Sequence, residues 1–326
     1  MSLNGLNKLI ALLIMHLILM TATSNALVFP IFSFSNDSGG MYGLFVQHKL
    51  SETNEGQLLA LSSSKGITSF VNVTNIPVLN EKVNVSLSGS TMGEPYYGIG
   101  NTARKTEYEH LYFDEFNTSM TLEKKLSNTW DALLGVTYKF YKENTEKNET
   151  AEQFTPLSLI GLIIGAQIDK RNREYNTTSG YLNKIQLKIF PEHQVISNDI
   201  RYFYPTKYGI IASKLFTIQT FTTTDHFQFL NGAGNYLYLR GYKGNDLLDR
   251  HLSYAQLEFR IKLLSWYVFT PFIETGVSGQ SPTQLKKQLF SYGIGSYFFF
   301  GNGAFRFDIS YAEGNRKTQF GFNHVF

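Results

Sequence analysis

The feature that most narrows what this chain can become is a repeated period of two. In Phe116 to Leu126, Asn117, Ser119, Thr121, Glu123 and Lys125 share one face, while Phe116, Met120, Leu122 and Leu126 share the other. In Ser158 to Ile168, Ile160, Leu162, Ile164 and Ile168 oppose Gly161, Gly165 and Gln167. In Tyr181 to Phe190, Lys184, Gln186 and Lys188 oppose Ile185, Leu187 and Ile189. In Ser253 to Leu263, Gln256, Glu258, Arg260 and Lys262 oppose Ala255, Leu257, Phe259, Ile261 and Leu263. In Phe305 to Tyr311, Arg306, Asp308 and Ser310 oppose Phe305, Phe307, Ile309 and Tyr311. Successive side chains of a strand point to opposite faces, so this pattern means strands with one wet and one apolar face.

A soluble β-sandwich alternates as well, so the choice between sandwich and membrane barrel rests on other features. Segments of about 9–11 residues suit a tilted strand that crosses a bilayer. Turns such as Ser127-Asn128, Thr206-Lys207 and Gly301-Asn302 are short, whereas the alternate connections Glu143 to Thr155 and Asn231 to Asp249 are long, as in outer-membrane barrels. Phe and Tyr gather toward strand ends, where aromatic girdles lie. Charged residues are 17% of the chain, against about 25% in an average soluble domain. The expected fold is all-β: a transmembrane antiparallel β-barrel of about sixteen strands, with an extracellular loop folded inward.

The first residues read as an export signal. Lys8 gives a positive start, Leu9 to Met20 is an apolar run too short to span a bilayer, and Ser24-Asn25-Ala26 places small residues at a cleavage position. A short membrane anchor is the other reading. Residues 1–26 are thus expected to be a signal peptide and 27–326 the barrel, placed in a bacterial outer membrane.

Strand-like segments follow at once: Val28 to Ser35, Tyr42 to Leu50, Gln57 to Ser63, Ile67 to Thr74 and Lys82 to Ser90, with Tyr96 to Asn101 as a loop. Gln57 to Thr74 could be one strand or two. Pro30 cannot donate to a ladder, so its strand is expected at an edge or at the seam that closes the barrel against Phe320 to Phe326. Glu143 to Thr150 is a charged loop tip.

Other chemistries find little support. The net charge, 29 − 26 = +3, with no basic cluster, argues against nucleic acid. There is no cysteine for a disulfide scaffold or a thiolate site. The seven histidines are scattered without metal-ligand spacing. No Gly-x-Ser-x-Gly occurs, and Gly232-Ala233-Gly234 and Gly293-Ile294-Gly295 lack the strand–helix setting of a phosphate loop. No catalytic residues, metal or cofactor are expected.

Several stretches together resemble the outer-membrane assembly factors of the BamA/TamA type, the bacterial surface antigens. The inward loop of that family carries (V/L/I)RG(F/Y), matched here by Leu239-Arg240-Gly241-Tyr242. Glu258-Phe259-Arg260 matches its Glu-x-Arg, and Phe272-Ile273-Glu274-Thr275-Gly276 its Phe-x-Asp-x-Gly, with Glu in place of Asp. Asp169-Lys170-Arg171 with Gly180 matches an earlier Asp-x-Arg followed by glycine. The Tyr97-Gly98-Ile99-Gly100-Asn101 loop fits too. Gly321 and Phe326 resemble the terminal signal read by the assembly machinery, with His324 standing where an aromatic is usual. The order and spacing of the motifs carry the resemblance, which covers essentially the whole mature chain.

The resemblance implies a non-enzymatic barrel that assists insertion or translocation of proteins or lipids at the outer membrane. The alternative is a plugged structural or pore-forming barrel without a client. Members usually carry periplasmic POTRA domains before the barrel; here the first strand begins close to the expected cleavage site, so a separate periplasmic subunit could supply the receptor. Outer-membrane lipids, and the assembly machinery during biogenesis, are the other partners implied.

An arginine inside a barrel needs partners, because an unpaired buried charge is costly. Glu258 faces the lumen by alternation, and Glu274 shares parity with Phe272 and Gly276. Arg240 is therefore expected to be held by Glu258 and Glu274, in bidentate geometry. Such a loop could only fill and stiffen the lumen, or it could also gate. Asp169 and Arg171 are expected to pair locally and hold a periplasmic turn.

Overall fold

In the computed structural model, the described residues are 27–35, 39–49, 55–63, 66–78, 81–91, 93–96, 109–143, 156–173, 176–224, 226–232, 239–242, 247–300 and 303–322. The expected signal peptide, the loop 97–101, the charged tip 144–150, Gly301-Asn302, His324 and Phe326 lie outside them.

Segments that alternate in sequence are strands in the structure. In chain order they are β1 (Leu27–Ser35), β2 (Gly39–Lys49), β3 (Glu55–Ser63), β4 (Gly66–Val78), β5 (Glu81–Ser90), β6 (Gly93–Tyr96), β7 (Glu109–Lys125), β8 (Asp131–Glu143) and β9 (Leu157–Asp169). There follow β10 (Gly180–Ile189), β11 (His193–Pro205), β12 (Ile210–Thr222), β13 (His251–Leu264), β14 (Tyr267–Ser281), β15 (Gln284–Phe300), β16 (Gly303–Ala312) and β17 (Asn315–Phe322). Residues 57–74 thus hold two strands, paired as a hairpin from Ser63↔Gly66 to Glu55↔Thr74.

The registers are antiparallel and follow chain order, as expected of a meander. β5 pairs with β7 as far as Ser90↔Glu115, and β6 takes over from Gly93↔Tyr112 to Tyr96↔Glu109. β5 and β6 therefore act as one interrupted strand, and seventeen strands make sixteen staves. At the ends of the meander, β1 is registered on β2 and β17 on β16; no register joins β1 to β17 among the described residues.

The two faces differ as a lipid-facing wall requires. On β9, Ile160 is 70% exposed, and Leu162 and Ile164 are exposed with it. Leu257 on β13, Ile273 on β14 and Ile294 on β15 also point outward into open space. The opposite face of β13 buries Gln256, Glu258 and Arg260. Apolar out and polar in is the reverse of a soluble domain and the pattern of a membrane barrel.

Two tight turns cap their own backbone. Ser127 Oγ accepts the N–H groups of Thr129 and Trp130 in the β7–β8 turn. Thr206 Oγ1 accepts those of Tyr208 and Gly209 in the β11–β12 turn. The ends of the barrel are less lopsided than the sequence suggests. At the end that carries the Asn231–Asp249 loop, connections 190–192, 282–283 and 313–314 are tight, and at the other end the β9–β10 connection occupies 170–179. Loop length is a poor guide here because a strand may end wherever its ladder ends.

Candidate functional site

The loop between β12 and β13 enters through a closed neck. Asn231 and Asp249 form an antiparallel bridge, with N···O distances of 2.8 and 3.1 Å. The Asn231 amide donates to the Arg250 carbonyl at 2.9 Å and to Thr220 Oγ1 at 3.2 Å. Ahead of it, a 3-10 turn at Phe227–Phe229 packs with Phe113 of β7, Tyr141 of β8, Leu157 and Leu159 of β9, and Phe190. Farther on, the loop touches β13 to β17. A single connection that meets strands from β7 to β17 requires the sheet to curl around it.

At the loop's turn, Arg240 lies among carboxylates. Its backbone N–H donates to Glu274 Oε2 at 2.7 Å, and its Nε to Glu274 Oε1 at 2.5 Å. Its Nη1 donates to Glu258 Oε1 at 2.7 Å and lies 3.8 Å from Asp308 Oδ2. The two expected acids are both there, but the guanidinium does not fork onto one carboxylate; it bridges two, and the backbone N–H completes the grip on Glu274. The guanidinium also lies over the Phe272 ring, 3.4 Å from its centre. Cation–π contact of this kind strengthens where water is excluded.

Each motif residue now has a physical reason. In Phe272-Ile273-Glu274-Thr275-Gly276, the ring is a platform, the carboxylate an acceptor, and the glycine leaves space. A Cβ on Gly276 would come within 2.9 Å of the Ser253 carbonyl and 3.1 Å of Leu239 Cδ1. Gly241 has φ +94°, which L side chains rarely adopt, and a Cβ there would sit 2.9 Å from Ala312 Cβ. Tyr242 accepts from Phe290 N–H at 2.9 Å and donates to the Phe290 carbonyl at 3.2 Å. The β15–β16 register starts at Ser291, so this hydroxyl serves the backbone groups just beyond the last pair. Lys317 of β17 donates to the Tyr242 carbonyl.

Sequence reasoning missed two of the six members of the charge cluster, Arg306 and Asp308. Glu258 accepts from Arg240, from Arg306 at 2.6 Å and from Arg260 at 3.1 Å. Arg306 also donates to Asp308 at 2.6 Å and to the Tyr297 hydroxyl. Glu274 further accepts from Gln256 at 2.8 Å and Ser291 at 2.7 Å. Three arginines thus face three acids, all buried, and the cluster is neutral as a whole. Charges taken out of water are tolerated only when paired and hydrogen-bonded in this way. The signal for Arg306 and Asp308 was available: both occupy inward positions of an alternating strand, where an ionic side chain needs a counter-charge.

Asp169 and Arg171 meet at the other end of the barrel. Arg171 Nε and Nη2 donate to the two oxygens of Asp169 at 2.9 and 2.6 Å. Gly180 has φ +103°, and a Cβ there would collide with the Lys170 carbonyl. The turn also reaches the central cluster, because Arg260 Nη1 donates to the Thr177 carbonyl at 3.3 Å. Pro30 is registered on Leu44 of β2 and Gly321 on Arg306 of β16. Among the described residues, no group of three or more His, Cys, Asp or Glu is placed to hold a metal ion.

No protein family and no curated protein matches the chain by sequence. Solved structures do. BamA from Haemophilus ducreyi lacking POTRA domains 1–3 superposes with a TM-score of 0.61 at 16% identity, over 92% of this chain and 69% of that one. CdiB from Acinetobacter baumannii superposes with a TM-score of 0.59 at 14% identity, over 91% of this chain and 59% of that one. The chain therefore has the fold of a BamA-type barrel.

Proposed function

We propose that the protein is an outer-membrane barrel that assists insertion or translocation of proteins or lipids, without enzymatic chemistry. The observation that carries this reading is the loop arginine, Arg240, clasped inside the barrel by Glu258 and Glu274. It combines the motif order of the assembly factors with a BamA-like fold. On this reading the Asn231–Asp249 loop is extracellular and the 170–179 turn periplasmic. The seam lies between β1 and β17, where an incoming strand would be templated. Its partners are outer-membrane lipids, the assembly machinery during its own biogenesis, and a periplasmic subunit that delivers clients. Export would remove residues 1–26, so N-terminal sequencing of protein from native membranes should begin at Leu27.

The test is reconstitution of the full chain in proteoliposomes. Faster folding of an added client barrel is expected, and a disulfide across the seam should abolish it. Steady ion conductance with no effect on client folding would replace this reading by that of a pore. Release of lysophospholipid would replace it by an enzyme.

A further inference from the structure

A second set of charges faces the lumen, on the wall away from the arginine cluster. Lys139 of β8 and Lys184 and Lys188 of β10 are half-buried. None of the three has an ion pair or a hydrogen bond among the described residues. The strand between them offers no counter-charge: the inward residues of β9 opposite this patch are Leu159, Gly161, Ile163 and Gly165. The nearest acids act on them only at longer range, Glu115 on Lys139 and Glu123 and Asp199 on Lys184, without an ion pair. Glu115 accepts from the Tyr141 hydroxyl at 3.1 Å and from the Asn117 amide. Asp199 is held by Arg201 at 2.9 and 2.5 Å.

The lysines also converge. Lys188 is registered on Ile163, two strands from Lys139. Yet Lys139 Nζ rests 5.2 Å from the centre of the Phe190 ring, beside the strand that carries Lys188. The crossing is possible because Gly161 lies beneath: a Cβ there would come within 2.6 Å of that ring. Two like charges gathered over a strand that carries no facing carboxylate repel each other and lose hydration, and an anion between them offsets both costs. An ammonium is a point charge that suits phosphate without demanding a planar fork.

We propose that Lys139 and Lys188 form a binding site for a phosphate-type oxyanion, with Lys184 extending the positive wall along β10. The site does not depend on the insertion role. The experiment uses the purified full chain in zwitterionic detergent. Lysines are acetylated with and without pyrophosphate, with chloride at matched ionic strength as control, and quantified by mass spectrometry. Pyrophosphate should protect Lys139 and Lys188 while leaving Lys82 and Lys207 reactive, and K139Q or K188Q should weaken its binding about tenfold. The double variant loses a like-charge repulsion, so it should resist heat at least as well as the parent but gain nothing from pyrophosphate. A parallel arm in phosphatidylglycerol and phosphatidylcholine vesicles separates the sources: protection by phosphatidylglycerol alone keeps the site and makes a lipid headgroup its ligand. Protection by neither anion source, or equal affinity in the double variant, overturns the proposal.

Discussion

The two walls of the lumen alternate alike in sequence and differ in what covers them. On β13 and β14, burial alternates residue by residue, because the loop lies on the inner face and dries it. On β5 nearly every residue is half-buried, on both faces. Its inward side chains, Asn84, Ser86 and Ser88, meet Thr121, Ser119 and Asn117 of β7. Under the loop's arginine turn, three arginines are matched by three acids; on β8 and β10, Lys139, Lys184 and Lys188 make no ion pair among the described residues. A strand pattern decides which face is polar, but the covering element decides how strictly the polar groups must be paired.

The sharpest break in this contrast is Glu258→Ala. Three arginines lose a shared acceptor in a dry site, so stability should fall by about 3–5 kcal/mol. The temperature at which the folded form unfolds on SDS gels should drop accordingly, and Glu258→Gln should recover little. Arg240→Ala comes next, at roughly 3 kcal/mol, since Glu258 keeps two other arginines while Glu274 keeps none. It should also open the loop to added protease in intact membranes. Gly276→Ala forces Leu239 off the wall and should cost about 1–3 kcal/mol by urea unfolding. Ser86→Ala, on the wet wall, removes a 2.7 Å contact to Ser119 and should stay within about 0.5 kcal/mol. A loss at Ser86 as large as that at Gly276 would erase the distinction between the walls.

Much of this was legible beforehand, for reasons that can be named. The parity of Glu258 and Glu274 followed from period two alone, and both carboxylates do reach Arg240. The boundary at Ser64-Lys65 was left open because the flanking residues alternate on both sides of it. Arg306 and Asp308 were placed on the correct face but not in the cluster. Joining them to Glu258 depends on the curvature that brings β16 toward β13 across two strands, and curvature leaves no mark in a one-dimensional pattern. The Tyr242 hydroxyl could not be assigned either, since its partner exists only because β15 outruns β16 by several residues. The spread of charges also hid the lysines of β8 and β10, because alternation does not tell whether an inward charge has a partner.

Arg260 gives one N–H to Glu258 and another to the Thr177 carbonyl at the far rim. Glu258 in turn holds Arg240 of the inserted loop. Both mouths of the cylinder are therefore moored to the same carboxylate. Anything that pulls the loop out at one end slackens a turn at the other, and a reporter dye on that turn would register the event from the opposite end of the cylinder.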